Sequence, residues 1–204
     1  MFSPNSSHPS GGGVACSRKV MQRYKFCDQC VYFITYRVKD SLPLLQDSAC
    51  KEILLKRIND QIEVFADDQH FAFSILDTHW HMLALVKEKE KFSRALQMVL
   101  GGSARYINLH LKRSGELWPR HFVRPVFTED SVSRVMGYVL GNPIRHGKVS
   151  NFDELYQYKF SNFHEFCDRV GKDAMCETVM QVLKLKVYKP DEEKFWSEIY
   201  GEDI

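Results

Sequence analysis

Two histidines one residue apart, His79-Trp80-His81, lie in the stretch 70–86, which reads HFAFSILDTHWHMLALV. Apolar, β-branched and aromatic residues lead up to the pair and away from it, the composition of a buried strand. Alternate residues of a strand share a face, so His79 and His81 point one way and Trp80 the other. Two imidazoles side by side on an apolar strand suit the holding of a metal ion. Taken alone, the pair reads first as two core or surface histidines with ordinary hydrogen bonds. A second group changes the balance. In Gly137-Tyr138-Val139-Leu140-Gly141-Asn142-Pro143, Tyr138 and Asn142 are one helical turn apart and share a helix face. A phenol can attack phosphorus when a metal polarises the phosphate. A carboxamide oxygen can complete the ligand set of a Mg²⁺ or Mn²⁺ ion held by two histidines. The bland alternative is a core tyrosine and an asparagine that ends a helix before a proline.

The elements that must position these groups can be read in order. Residues 31–38 alternate and are rich in β formers, so they predict a first strand. Residues 47–65 place Ile53, Leu54, Ile58, Ile62 and Phe65 at helical spacing, with Asp47 or Ser48 as the N-cap. Strands are expected over 71–76 and 79–86, then a helix over 88–111, with a possible interruption at Gly101-Gly102. Residues 118–127 contain two prolines and read as extended. Thr128 begins a helix with Glu129 and Asp130 in its first turn, where the macrodipole favours acids. That helix should stop near Asn142-Pro143. Residues 151–166 are aromatic and polar, and 172–187 predict a last helix. The order strand, helix, strand, strand, helix, strand, helix points to an α+β fold with helices packed on a central sheet.

The chain has 204 residues, 44% hydrophobic and 13% aromatic, enough for one well-filled domain with extensions. Residues 1–24 read as a flexible N-terminal tail, rich in Ser, Pro and Gly over its first half. The domain is expected over 25–170 and a C-terminal helical appendage over 171–204. No apolar run approaches the roughly 20 residues of a membrane span, and the N-terminus lacks an apolar signal core. The expectation is a cytoplasmic, nucleoid-associated protein. Without an oxidising compartment the six cysteines are expected to be thiols. Cys27 and Cys30 have a spacing used in zinc and redox sites, but Cys16 and Cys50 do not complete a recognisable ligand pattern.

His79-Trp80-His81-Met82-Leu83 resembles the His-hydrophobe-His strand of the HUH endonucleases. Tyr138 followed by Asn142-Pro143-Ile144-Arg145 resembles the tyrosine helix of the REP-associated tyrosine transposases within that superfamily. Between them, Phe92-Ser93-Arg94, Arg105-Tyr106-Ile107-Asn108 and Gly115-Glu116-Leu117-Trp118 fall in that family's order and spacing. Downstream, Tyr156-Gln157-Tyr158 and Ser161 are similar to its aromatic-serine segment. The resemblance covers about residues 32–166. It implies a ferredoxin-like antiparallel sheet of the HUH type. His79, His81 and Asn142 would hold Mg²⁺ or Mn²⁺, and Tyr138 would cut single-stranded or hairpin DNA through a 5′-phosphotyrosine. Three departures bear on substrate contacts. Thr78 stands where the family has Asn or Asp, Leu140 where it has His, and Pro119 and His121 where it has Gln and Arg.

Net charge is only +2, so any nucleic-acid surface must come from local clustering. Arg94, Arg105, Arg120, Arg124 and Arg145, interleaved with Tyr106, Trp118, His121 and His146, have the composition of a single-strand groove, with cations for phosphates and rings for bases. Two rival readings remain at this stage. One is a domesticated hairpin-DNA-binding protein that no longer cuts. The other is a metal hydrolase using the His pair, with Asp77 or His70 as a further ligand. A monomer and a homodimer are both compatible with the sequence.

Overall fold

The computed structural model describes residues 26–65 and 70–184. The expected N-terminal tail, Cys16 and the chain beyond residue 184 lie outside the described residues. Four strands are formed by Cys30–Arg37 (β1), Ala72–Ile75 (β2), His79–Val86 (β3) and Arg120–Val126 (β4). Between β1 and β2 run Ser48–Asn59 (α1) and the short Ile62–Phe65 (α2), and between β3 and β4 runs Lys89–His110 (α3). After β4 come Glu129–Arg145 (α4), Phe152–Tyr156 (α5), Phe163–Val170 (α6) and Lys172–Leu183 (α7). The sheet order is β2-β3-β1-β4, every neighbour antiparallel. Two β-α-β units interlock in this order, which is the ferredoxin-like arrangement.

Strand alternation divides the core into two layers. Tyr32, Ile34 and Tyr36 of β1, Trp80, Met82 and Ala84 of β3 and Phe73 and Ile75 of β2 pack on one side with Leu54 and Ile58 of α1 and Phe92, Leu96 and Val99 of α3. Phe33, Leu83 and Ala72 pack on the other with Val135, Val139 and Leu140 of α4, Phe163 and Phe166 of α6 and Met175 and Val179 of α7. Trp80 and the two histidines therefore part company as the two-residue period requires.

Helix starts follow their caps. The Asp47 carboxylate accepts from the Ala49 amide at 2.9 Å, and the Thr128 hydroxyl accepts from the Ser131 amide at 3.1 Å. The expected helix over 47–65 divides at Asp60, whose amide closes the last turn of α1 onto the Lys56 and Ile58 carbonyls. The helix α3 passes through Gly101-Gly102 unbroken. A Cβ on Gly102 would lie 2.9 Å from Cδ of Arg57, so the missing side chain admits the α1 side chain instead of ending the helix. The helix α4 also outruns its expected stop and continues through Pro143 to Arg145. Proline cannot donate to the carbonyl one turn back, yet only one short turn remains. The Asn142 side chain meanwhile donates to the Tyr138 carbonyl at 2.7 Å. Pro125 sits on β4, an edge strand, where a missing ladder donor is tolerated.

The helix α7 is seated directly on α4. A Cβ on Gly137 would fall 2.6 Å from the Thr178 carbonyl oxygen, and one on Gly141 would fall 2.7 Å from Cγ1 of Val179. The free edge of β2 is covered by the segment after α5. The Asn162 side chain accepts from the Phe73 amide and donates to the Phe71 carbonyl, both at 2.8 Å, and the Ile75 amide bonds the Phe160 carbonyl at 2.8 Å. An edge closed in this way offers no template to another chain.

Candidate metal and nucleophile site

The His pair opens β3, immediately after the Leu76–Thr78 turn, and both rings face α4. They are 5% and 4% exposed, with ring centroids 4.7 Å apart. Each ring is held at Nδ1 by a threonine hydroxyl, His81 by Thr35 at 2.7 Å and His79 by Thr78 at 2.8 Å. Thr35 stands directly across the β1–β3 ladder from His81. A hydroxyl at Nδ1 orients the ring, and in the tautomer that donates from Nδ1–H to it, Nε2 keeps a lone pair. Burial, with the charges of His146 and Arg37 adding to it against a smaller opposing effect of Asp77, pushes His79 down to about 3. Burial likewise carries His81 well below its ordinary value. Both imidazoles are thus neutral, the protonation state a metal requires.

Tyr138 projects from α4 against this pair. Its ring lies 5.3 Å from His81 and 5.8 Å from Phe33, with the Arg145 guanidinium 5.7 Å from its centroid. One turn on, Asn142 is fully buried. Its amide nitrogen donates to the Tyr138 carbonyl, which leaves Oδ1 as the unbonded atom. Buried polar atoms are nearly always bonded. Among the described residues, three on this face are not: Nε2 of His81, Oδ1 of Asn142, and Oγ of Ser74, which lies directly across the β2–β3 ladder from His81. An imidazole nitrogen and a carboxamide oxygen, both desolvated and unpaired, fit a hard to borderline divalent cation. A change of Thr35 to Val should release the His81 ring and weaken Mn²⁺ binding about 10–100-fold. Titration calorimetry of the metal alone would read this, and the idea fails if the affinity is unchanged.

The remaining sequence candidates separate into two groups. Arg124 belongs to β4 across from Phe33, on the face of the His pair, with its guanidinium 5.1 Å from the Phe122 ring centroid. Arg120 occupies the β4 position across from Arg37 on the same face. Arg145 adjoins Tyr138. Arg124 and Arg145 thus adjoin the site, and residue 120 shares its strand face. Arg94, Arg105 and Tyr106 are on α3, in the layer on the opposite side of the sheet. Tyr106 there stacks beneath Arg57 at 4.8 Å. Trp118 packs on that same core and donates its indole N–H to the Ser103 hydroxyl at 3.0 Å. Asp77 is not turned to the His pair as a ligand. Its carboxylate is shared by Lys51, at 2.8 Å, and Lys148.

Thr35, Ser74 and Arg37 are not expected at the site from sequence; all three enter through strand pairing, which a local pattern does not reveal. His146, expected among the rings interleaved with the basic cluster, has its ring 5.1 Å from that of His79.

No protein-family model matches the chain, and no curated protein matches it. Among solved structures, a REP-associated tyrosine transposase bound to a REP hairpin matches with a TM-score of 0.55. The fold is that of a REP-associated tyrosine transposase. The match covers 74% of this chain and 87% of that one, at 18% sequence identity. A proposed transposase from Deinococcus radiodurans R1, 20% identical, covers 60% of this chain and 95% of that one with a TM-score of 0.37, too low to add weight. At these identities the likeness to the transposase structure is one of fold, and the chemistry rests on the residues themselves. No helix among the described residues is long and apolar enough to cross a membrane.

Proposed function

We propose that this protein cuts and rejoins single-stranded DNA, at or beside a hairpin, through a covalent 5′-phosphotyrosine at Tyr138. The observation that carries the reading is the meeting of a half-buried phenol with two unpaired buried ligand atoms, Nε2 of His81 and Oδ1 of Asn142, within one turn of α4 and one strand of the sheet. His79, His81 and Asn142 would hold Mg²⁺ or Mn²⁺, which when bound supplies Lewis-acid polarisation of the scissile phosphate. The chain's own groups do the rest. Thr35 and Thr78 orient the two rings, and Phe33 and Arg145 confine the Tyr138 ring. The phenol oxygen bonds phosphorus as the bond to the 3′ oxygen breaks, and the phenol proton ends on the 3′ hydroxyl. The phosphoester link is retained, so that hydroxyl can later attack it and rejoin a strand without ATP. Arg124 and the β4 position of Arg120 lie where they can take flanking phosphates.

The test uses single-stranded hairpin DNA labelled at its 3′ end, incubated with the protein and Mn²⁺ and resolved under denaturing conditions. A 5′-phosphotyrosine keeps the 3′ fragment, so the label should migrate with the protein, and chelation should abolish the band. Label retained only from the 5′ end would contradict the assignment. Hairpin binding without any covalent band would favour the non-cutting DNA-binding reading.

A further inference from the structure

Arg37 closes β1 and stands directly across the ladder from His79 on one side and Arg120 on the other. Residues paired across a ladder share a face. Arg37 therefore belongs to the face that carries the His pair, at the open end of the site rather than under α4. It is exposed, and among the described residues no carboxylate pairs with it. Its charge is nonetheless felt at both imidazoles, where it opposes protonation. Four nearby cations already have contacts. Lys51 and Lys148 share Asp77, Arg145 lies against Tyr138 and Arg124 against Phe122. An arginine without a counter-ion among the described residues, beside two neutral histidines, is a place for an anion.

We propose that Arg37 is a catalytic residue, its guanidinium bonding a non-bridging oxygen of the scissile phosphate. The proposal rests on the strand-cleavage reading above. A phosphodiester brings one negative charge. As the Tyr138 oxygen adds and the 3′ oxygen departs, charge builds on the non-bridging and leaving oxygens, and the phenol proton passes to the 3′ hydroxyl. Arginine stays protonated throughout and presents a planar fork that matches two phosphate oxygens. A donor fixed where charge develops stabilises the transition state more than the bound substrate.

The experiment compares the native protein with Arg37→Ala and Arg37→Lys in single-turnover formation of the covalent adduct. Hairpin affinity is measured in chelator, and Mn²⁺ affinity is measured by electron paramagnetic resonance without DNA. Arg37→Ala should slow the adduct about 10²–10³-fold, with Arg37→Lys recovering part of the rate. Mn²⁺ affinity should hold or rise, because a like charge beside the metal ligands has been removed. An unchanged rate in Arg37→Ala would overturn the proposal. So would a rate loss matched by an equal loss of Mn²⁺ affinity, since that marks a residue acting by holding the site together. If the native protein forms no adduct on hairpins that it binds, the cleavage reading fails and takes this proposal with it. If the native protein forms the adduct and Arg37→Ala matches it, this proposal alone fails.

Discussion

Tyr138→Phe should remove the covalent adduct, a loss on the order of 10⁴-fold or greater, as expected when a nucleophile is deleted. The change is confined to one oxygen. The ring keeps its contacts with His81, Phe33 and Arg145, and its half-buried setting leaves little to lose in stability. Hairpin affinity and Mn²⁺ affinity should therefore stay near native values while the 3′-labelled band disappears. A hydrolase that activates water at the His pair would be indifferent to the same change. Persistent DNA cleavage in Tyr138→Phe would thus transfer the reaction away from the phenol and sink the assignment. The single substitution separates nucleophile, binder and hydrolase because it touches neither the proposed ligands nor the surface charge.

Asp77→Ala should give the largest loss of stability of any single change at the site's margin. The carboxylate lies in the β2–β3 turn and joins Lys51 of α1 at 2.8 Å and Lys148 beyond α4, with side-chain exposures of 14%, 9% and 32%. Lys51 is further enclosed by the Phe160 ring at 5.3 Å and the Tyr158 hydroxyl at 3.4 Å. Removing the acid leaves a buried ammonium uncompensated, and breaking a buried pair from one side costs about 3–5 kcal/mol. Lys148→Ala, at the more exposed partner, should cost about 1 kcal/mol or less. Denaturant unfolding of the two variants would check the ranking, and equal small losses would contradict it. The acid also sets a pH dependence. Burial pushes the Asp77 carboxyl up, but the hydrogen bonds and charges of Lys148 and Lys51 outweigh it and hold the carboxyl below its ordinary 3.8. A carboxyl depressed by folding contributes stability that is complete above its unfolded value and is lost as pH falls through the folded one. The Asp77 share should be intact at pH 5 and decline below about pH 4. Asp77→Ala should flatten that part of the acid limb.

Local patterns carried far into this molecule where the cause is local. The alternation around His79 and His81 fixed their common face, the one-turn spacing joined Tyr138 to Asn142, and Asp47 and Thr128 marked helix starts. The failures share a different cause. Gly101-Gly102 and Pro143 are breakers by intrinsic preference, yet α3 runs through the first, where Arg57 occupies the space, and α4 runs one short turn past the second. Arg94, Arg105 and Tyr106 are expected from sequence in one nucleic-acid groove with the residues of the tyrosine helix. Periodicity does not tell which side of a sheet a helix covers, and α3 covers the side away from the His pair. Thr35, Ser74 and Arg37 became visible only through register, since each is brought to the histidines by a partner strand distant in sequence. Thr78, a departure from the family pattern, supplies the hydroxyl that holds His79.

The close seating of α7 on Gly137 and Gly141 has a consequence for how this chain can vary. Along residues 137–142 the two glycines leave no room for a methyl group, because backbone and side chain of α7 stand within 2.6–2.7 Å of where it would go. Val139, Leu140 and Asn142 are wholly buried, and Tyr138 lies against His81. Six consecutive positions are thus committed, on every side of the helix. In a saturation screen for folded, active protein this hexapeptide should accept almost nothing. The exposed positions Ser133 and Glu129, one and two turns earlier on the same helix, should accept nearly anything. Drift in the nucleophile would then have to come through the rest of the chain, by moving what surrounds it.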